Sequence, residues 1–399
     1  MEIDSDAPAV SGPEILNNNF PDHDSGLRPP QRRTKSTTAG RAPVARSGGN
    51  TLQTAGPLLQ ITNLDRADPP GYRAGGVPRS PQFNRNVYAI TAAPRMPEIS
   101  VRCAVRGFSP QQSPIHWRLQ CRYVLARHIN SGNGKYVGAS EIHLDEWQGR
   151  STAADFTLFA AQRNPAVSYD YNDDRAVMGG HAMLTLTVRL PGNGGWLTDY
   201  VHLRIVGTNP VRANVERYVE QLLDGRDANV LAMLRAIFVH ESDYTQFQND
   251  VQTRNRAHRL QFDWPDDPAR FPLATFDFGV GISQWTKLPG QRVSRAIAWD
   301  WRENVRAGTN LFLTEKLRNS PRAGRTWREW ARGAWRRYNG SGERAERYAE
   351  NLATSVEGLR VSTRPVPPSI DIRTLTAPVP GPAPLGPPPA WPPQAAPAR

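Results

Sequence analysis

The stretch Val230–Phe247 reads VLAMLRAIFVHESDYTQF. Val230, Leu234 and Ile237 recur at the spacing that stacks side chains on one face of an α-helix, and four residues on the same face reaches Glu241. The pattern predicts a helix over about 228–241 whose core-facing stripe ends in a carboxyl group. Glu241 can turn out to water at a frayed helix end, as most glutamates do. Alternatively, apolar walls hold it, and desolvation keeps it protonated near neutral pH, able to hand a proton to a leaving group. Its surroundings in the chain have to decide between these.

Helical periodicity continues on both sides of this segment. VRANVERYVEQLLDG predicts a helix over about 211–223, and ENVRAGTNLFLTEKLRN, TWREWARGAWRRYN and GERAERYAENLATSV predict three more. A polar stretch over about 244–276 separates the second helix from these and reads as a surface loop or flap. A mainly α domain over 210–362 is the result.

Upstream the period changes from 3.6 to 2. EISVRCAV, IHWRLQCRYVL, KYVGASEIHL, ADFTLFA, MLTLTVRL and DYVHLRIVG alternate as strands, broken by turn-rich NSGNGK and PGNGG. Six or seven such strands predict an all-β antiparallel sandwich over 96–209, with an accessory role in binding, spacing or docking. The two cysteines lie here. A hairpin centred near residue 112 would set Cys103 opposite Cys121, open to a cross-strand disulfide in an oxidising compartment or to two small buried thiols.

The ends have a different composition. Residues 1–95 are rich in Pro, Gly, Ser, Asn and Asp without a sustained period, which predicts a disordered arm. The segment 363–399 predicts a Pro-rich tail, with 13 prolines among its last 35 residues. The net charge of +12 favours polyanions, either nucleic acid or an anionic bacterial envelope. Zinc-ligand spacings, paired single-strand-binding aromatics and an isolated basic recognition helix are all missing, so no specific nucleic acid is expected. Much of the arginine is interspersed with glutamate, as on a solvated helical face. No metal or cofactor is expected, and no run approaches the roughly 20 apolar residues of a membrane span. The opening residues lack the basic and apolar regions of a secretory leader. The expectation is synthesis in the cytoplasm, with non-classical delivery if the chain's work lies outside.

Within the helical region five short motifs occur in order: HES with Glu241 and Ser242, GVGISQ, DWRENVRAGTNLFL, RYNGSG and RYAENL. This order resembles the catalytic domain of lytic transglycosylases and goose-type lysozymes. The resemblance covers about residues 210–362 and implies a lysozyme-like fold that cuts the MurNAc-GlcNAc β-1,4 bond of peptidoglycan glycan strands. It implies Glu241 as general acid/base beside Ser242, a Gly-x-x-Gln turn at Gly281–Gln284, a helix carrying Asp300, Asn304 and Gly308, then Tyr338, Asn339 and Gly340, and a closing Tyr348. A chain of this kind is a secretion effector or a phage lysin or virion enzyme, with its tails meeting that machinery. The other class to weigh is a non-catalytic glycan-binding or structural protein that keeps the fold.

The chemistry suits these residues. Protonating a bridging oxygen requires a carboxyl group that burial keeps protonated. Glycine at Gly281 admits a close sugar, and Gln284 offers donor and acceptor to its substituents. Tyr338 is expected to orient the Glu241 carboxyl, Asn339 to shape the turn behind it, and Trp285 to stack on a sugar ring. His240 points roughly 100° round the helix from Glu241 and reads as a packing or surface residue rather than a second base. Asp300 and Asn304 read as helix caps or braces. Goose-type lysozymes often carry an acid where this chain has Thr286. A second carboxylate would have to come from the flap, from Asp263, Asp266, Asp267 or, most directly, Asp277. The absence of an acid at Thr286 favours transglycosylase chemistry, in which the sugar's own hydroxyl closes a 1,6-anhydro ring.

Overall fold

In the computed structural model the described residues are 56–64, 86–125, 141–159, 167–170, 177–192, 194–248, 271–274, 279–286 and 293–381. Their strands precede their helices. The strands are β1 (Leu58–Leu64), β2 (Val87–Ala89), β3 (Ile99–Arg106), β4 (Ile115–Leu125), β5 (Glu141–Ser151), β6 (Asp155–Leu158), β7 (Val167–Asp170), β8 (Gly180–Arg189) and β9 (Trp196–Val206). They form a three-stranded sheet in the order β1-β3-β6 and a six-stranded sheet in the order β2-β9-β8-β4-β5-β7.

Every pairing is antiparallel except that of β2 with β9, which is parallel. Alternation along β4 sends Ile115, Trp117, Leu119 and Cys121 inward, where they share one core with Ile99, Val101, Phe156 and Leu158 from the smaller sheet.

Two strand-level expectations are corrected. β1 and β2 lie inside the region predicted to be a disordered arm. β1 pairs with β3 along most of its length and buries Leu59 and Leu64. Four apolar positions, Leu58, Leu59, Ile61 and Leu64, are lost in a Pro- and Gly-rich surrounding when composition is averaged over 95 residues. Nor do β3 and β4 form a hairpin. β3 lies between β1 and β6, and β4 between β5 and β8, so the chain crosses from one sheet to the other between them. Cys103 therefore faces Ile61 across the ladder, and Cys121 faces Asp145 and Ala182. Both thiols are buried and free. Burial, followed by the charges of Asp155 and Asp199, raises the Cys103 thiol to about 12, and burial also raises Cys121.

The helices are α1 (Arg212–Leu222), α2 (Ala228–Ser242), α3 (Arg295–Trp299), α4 (Trp301–Asn310), a π-helical turn (Leu311–Leu317), α5 (Trp327–Asn339), α6 (Glu343–Thr354), α7 (Val356–Leu359) and α8 (Ile372–Leu375). Asp227 caps α2 by accepting from the Asn229 amide, and Thr326 with Glu329 forms a reciprocal capping box on α5. A second core gathers Val215, Val230, Leu234, Ile237, Trp330 and Trp335 from three of these helices.

Part of the expected tail belongs to this core. Leu375 and Val379 are buried in it, and the Arg226 guanidinium donates to the Leu375 and Ala377 carbonyls at 2.7 Å each. Proline content alone hides these two anchors. Residues 1–55, 65–85 and 382–399, the remainder of the expected arm and tail, lie outside the described residues. All described residues fall in one compact unit. No helix among them is long and apolar enough to cross a membrane.

Strand and helical regions meet at a group of rings. Trp299, at the end of α3, lies 5.1 Å from Tyr123, 6.0 Å from Phe271 and 5.9 Å from Phe247, measured between ring centroids. Glycine is required at two points of this contact. A Cβ on Gly179 would approach Trp299 to 2.4 Å, and one on Gly207 would approach Phe247 to 2.2 Å. Asn209 fastens the junction, its Oδ1 accepting from the Gln246 and Phe247 amides at 2.9 and 2.7 Å.

Candidate active site

Helix α2 is buried on most of its circumference, and it stops abruptly just past Glu241. Asp243 and Tyr244 both adopt left-handed backbone, with φ of 49° and 59°. L-residues pay about 1–2 kcal/mol each for that conformation, and for a bulky residue such as Tyr244 it is strain. The reversal fixes the last turn of the helix. Glu241 is left half-buried and Ser242 is buried.

Ser242 does not point at an open site. Its hydroxyl donates to the Ile282 carbonyl at 2.8 Å and accepts from the Thr245 amide at 3.2 Å. It ties the end of α2 to the turn at Gly281–Gln284. In that turn Gly281 has φ of 68°, and a Cβ there would meet Gln246 Oε1 at 2.4 Å and Asn304 Nδ2 at 2.6 Å. Only glycine fits both restrictions. Gln284, itself at φ 45°, is buried and donates Nε2 to the Gly281 carbonyl at 2.8 Å, closing the turn.

Two buried amides brace this turn from behind. Asn304 Oδ1 accepts from the Ser283 amide and hydroxyl, both at 2.9 Å, and its Nδ2 donates to the Val280 carbonyl at 2.7 Å. Gln246 Oε1 accepts from the Ile282 amide at 3.2 Å, and its Nε2 donates to the Ala298 carbonyl at 2.8 Å. Gly308 lies one helical turn beyond Asn304, where a Cβ would collide with the Ser283 Cβ at 2.2 Å. Asp300 caps α4 by accepting from the Arg302 amide at 2.8 Å. Asp300, Asn304 and Gly308 thus hold the turn against α4.

The two tyrosines divide their work differently from the sequence expectation. Tyr338 donates to the Ser283 carbonyl at 2.7 Å. Tyr348 donates to Glu241 Oε1 at 2.6 Å. Burial first, and the Glu241 charge second, holds both phenols well above their ordinary range. Both therefore remain neutral donors, and among the described residues Glu241 is the one carboxylate whose charge acts on either ring. Tyr348 also packs edge-on against His240 at 5.0 Å, and burial lowers the His240 pKa.

The remaining predicted positions fall outside this cluster or are occupied by other work. Trp285 packs against the strand-side core, and its backbone pairs with Val280. Asn339 is exposed at the end of α5. Thr286 is exposed and donates to the Gln284 carbonyl at 3.1 Å. Asp277 lies outside the described residues, as do Asp263, Asp266 and Asp267. Among the described residues no group of His, Cys, Asp and Glu is arranged to hold a metal ion.

The sequence missed Tyr348 as the carboxylate partner, because Ala345, Tyr348, Ala349 and Leu352 form an ordinary buried helical stripe. It also missed Gln246, whose polar neighbourhood gives no periodic signal. Comparison of the chain with protein-family models, curated proteins and solved structures finds no match.

Proposed function

We propose that this chain is a peptidoglycan-cleaving enzyme, a lytic transglycosylase or muramidase, with Glu241 as general acid/base. The observation that carries this is the 2.6 Å hydrogen bond from Tyr348 to Glu241, at the point where all five ordered motifs converge. A half-buried carboxyl group, fixed by a neutral phenol and flanked by a glycine turn, is equipped for proton transfer at a glycosidic oxygen. On this proposal the strand region is the accessory sandwich and the helical region the lysozyme-like domain. Action is at the bacterial cell wall, as a secretion effector or phage enzyme.

Glu241 gives its proton to the bridging oxygen as the bond to the leaving sugar breaks. The resulting carboxylate then takes a proton from the nucleophile that completes the reaction. Tyr348 holds one carboxyl oxygen, Oε1, in place. The turn at Gly281–Gln284, pinned by Ser242, Asn304 and Gln246, gives the sugar a rigid backbone wall.

The test is release of soluble muropeptides from purified sacculi by wild type and Glu241→Gln. The amide keeps the shape but cannot act as an acid, so turnover should fall at least about a thousandfold, within the range set by general acid catalysis and orientation together. Comparable activity in the two proteins would remove Glu241 from the reaction. Sacculus binding without release by wild type would favour a non-catalytic glycan-binding protein.

A further inference from the structure

The outward face of the six-stranded sheet carries a second group of residues. Alternation that buries Ile115, Trp117 and Leu119 leaves His116 and Arg118 exposed on β4. The register sets His116 between Arg150 and Thr187, and Arg118 between Gln148 and Thr185. These six side chains line a depression of about 570 Å3.

None of the six has a hydrogen bond or ion pair among the described residues, and the Thr185 hydroxyl is buried without a partner. Some arginines of this chain find a carboxylate, as Arg295 does at Asp145 and Arg332 at Glu350, both at 2.6 Å. Among the described residues Arg118 and Arg150 have none. Diagonal neighbours on adjacent strands lie about 7–8 Å apart, close enough for two guanidiniums to share one chain of oxyanions.

The uncharged groups narrow the ligand. Two threonine hydroxyls, one carboxamide and one imidazole offer donors and acceptors in alternation, which suits sugar hydroxyls. Tyr200, opposite Thr185 on β9, adds one half-exposed ring at the margin. Trp117 is 1% exposed, so the depression has no aromatic floor on which successive bases could stack. We propose that this face is a docking site for an acidic polysaccharide, with Arg118 and Arg150 on its carboxylates and Thr185, Thr187, Gln148 and His116 on its hydroxyls.

The site is separate from Glu241. Tyr123 marks where β4 meets Trp299 of the helical region, and Arg118 lies five residues back, about 17 Å along the strand. The proposal therefore stands whether or not Glu241 cleaves glycan.

The experiment is calorimetric titration of the full-length protein with oligogalacturonate, its carboxyl-reduced neutral counterpart and a single-stranded oligonucleotide. Oligogalacturonate should bind, weaken as salt rises, and exceed the neutral chain by about tenfold or more. The double variant Arg118→Gln, Arg150→Gln should lose about tenfold or more. Thr185→Val should weaken binding without lowering the melting temperature, because it removes a hydroxyl that no described residue satisfies. The proposal is overturned if oligogalacturonate fails to bind, if the neutral chain binds as well, if the variants bind as wild type does, or if the oligonucleotide binds more tightly.

Discussion

Tyr348 and Glu241 stand 107 positions apart in the chain, and the phenol donates to the carboxyl at 2.6 Å. Helix α6 supplies one partner and the end of α2 the other, so the bond exists only when the helical core is assembled. A hydrogen bond between neutral groups contributes about 1 kcal/mol, and one to a carboxylate, which Glu241 becomes once its proton is given up, about 1.5–3 kcal/mol.

Tyr348→Phe should therefore lower stability by about 1.5–3 kcal/mol and turnover by about tenfold or more, with KM little changed. Tyr338→Phe removes only the bond to the Ser283 carbonyl and should cost about 1 kcal/mol. Denaturant melts and muropeptide release measure both. Equal effects from the two variants would mean that Tyr348 has no special relation to Glu241. Because both phenols are raised well above 10.0, no loss of activity from their ionisation should occur below that pH.

Gly308→Ala offers a contrast within the helices. Alanine normally stabilises a helix interior by about 1 kcal/mol relative to glycine. At residue 308 the new Cβ meets Ser283 at 2.2 Å, so the turn must move and a net loss of about 1–3 kcal/mol is expected. At Gly333 in α5 the nearest atoms stand 3.7 Å off, and Gly333→Ala should stabilise. Opposite signs in thermal melts are the expected result, and a stabilised Gly308→Ala would show that the turn tolerates displacement.

The sequence made the brace legible and left its use obscure. Asp300 and Asn304 read as cap and brace because Asp at a helix start and a polar residue four positions on have few other roles. Glu241 was legible as the end of an apolar stripe. Tyr348 was not, since hydrogen bonding to a residue 107 positions away leaves no trace in local periodicity. Most of the strands were legible in their alternation, and two readings of them failed for related reasons. β5 continues through Asp145–Ser151, where DEWQGRS has no apolar alternation, because its pairing with β4 and β7 supplies what side-chain pattern does not. The Cys103–Cys121 hairpin failed because symmetry of spacing says nothing about which sheet a strand joins.

Asp300 gives a pH test of the brace. Burial raises its carboxyl from 3.8 to about 6, even as it caps α4. A folded-state pKa above the unfolded one favours the protonated fold. The stabilising contribution is complete below about 3.8 and is lost as pH rises through about 6. Asp300→Asn keeps an oxygen for the Arg302 amide and cannot ionise. It should match wild type near pH 4 and exceed it at pH 7 by about 1–2 kcal/mol, discounted for partial exposure. A stability difference that stays constant across this range would show that Asp300 titrates normally.

The reaction product depends on what attacks after the leaving sugar departs. A hydrolase of this kind uses a second carboxylate to hold a water or to form a covalent intermediate. Among the described residues, Glu241 is the one carboxylate whose charge acts on Tyr338 or Tyr348, and Thr286 offers only a hydroxyl already donated to the Gln284 carbonyl. Glu241 must then serve in both steps, and the nearest nucleophile is the C6 hydroxyl of the same muramyl residue, held against the Gly281–Gln284 turn. The proposed enzyme should therefore release products ending in 1,6-anhydromuramic acid, lighter by one water and inert to borohydride, as mass spectra before and after reduction will show. Reducible ends would instead place a water-holding carboxylate in the flap. Asp277→Asn should then abolish turnover, while leaving it intact if the anhydro route operates.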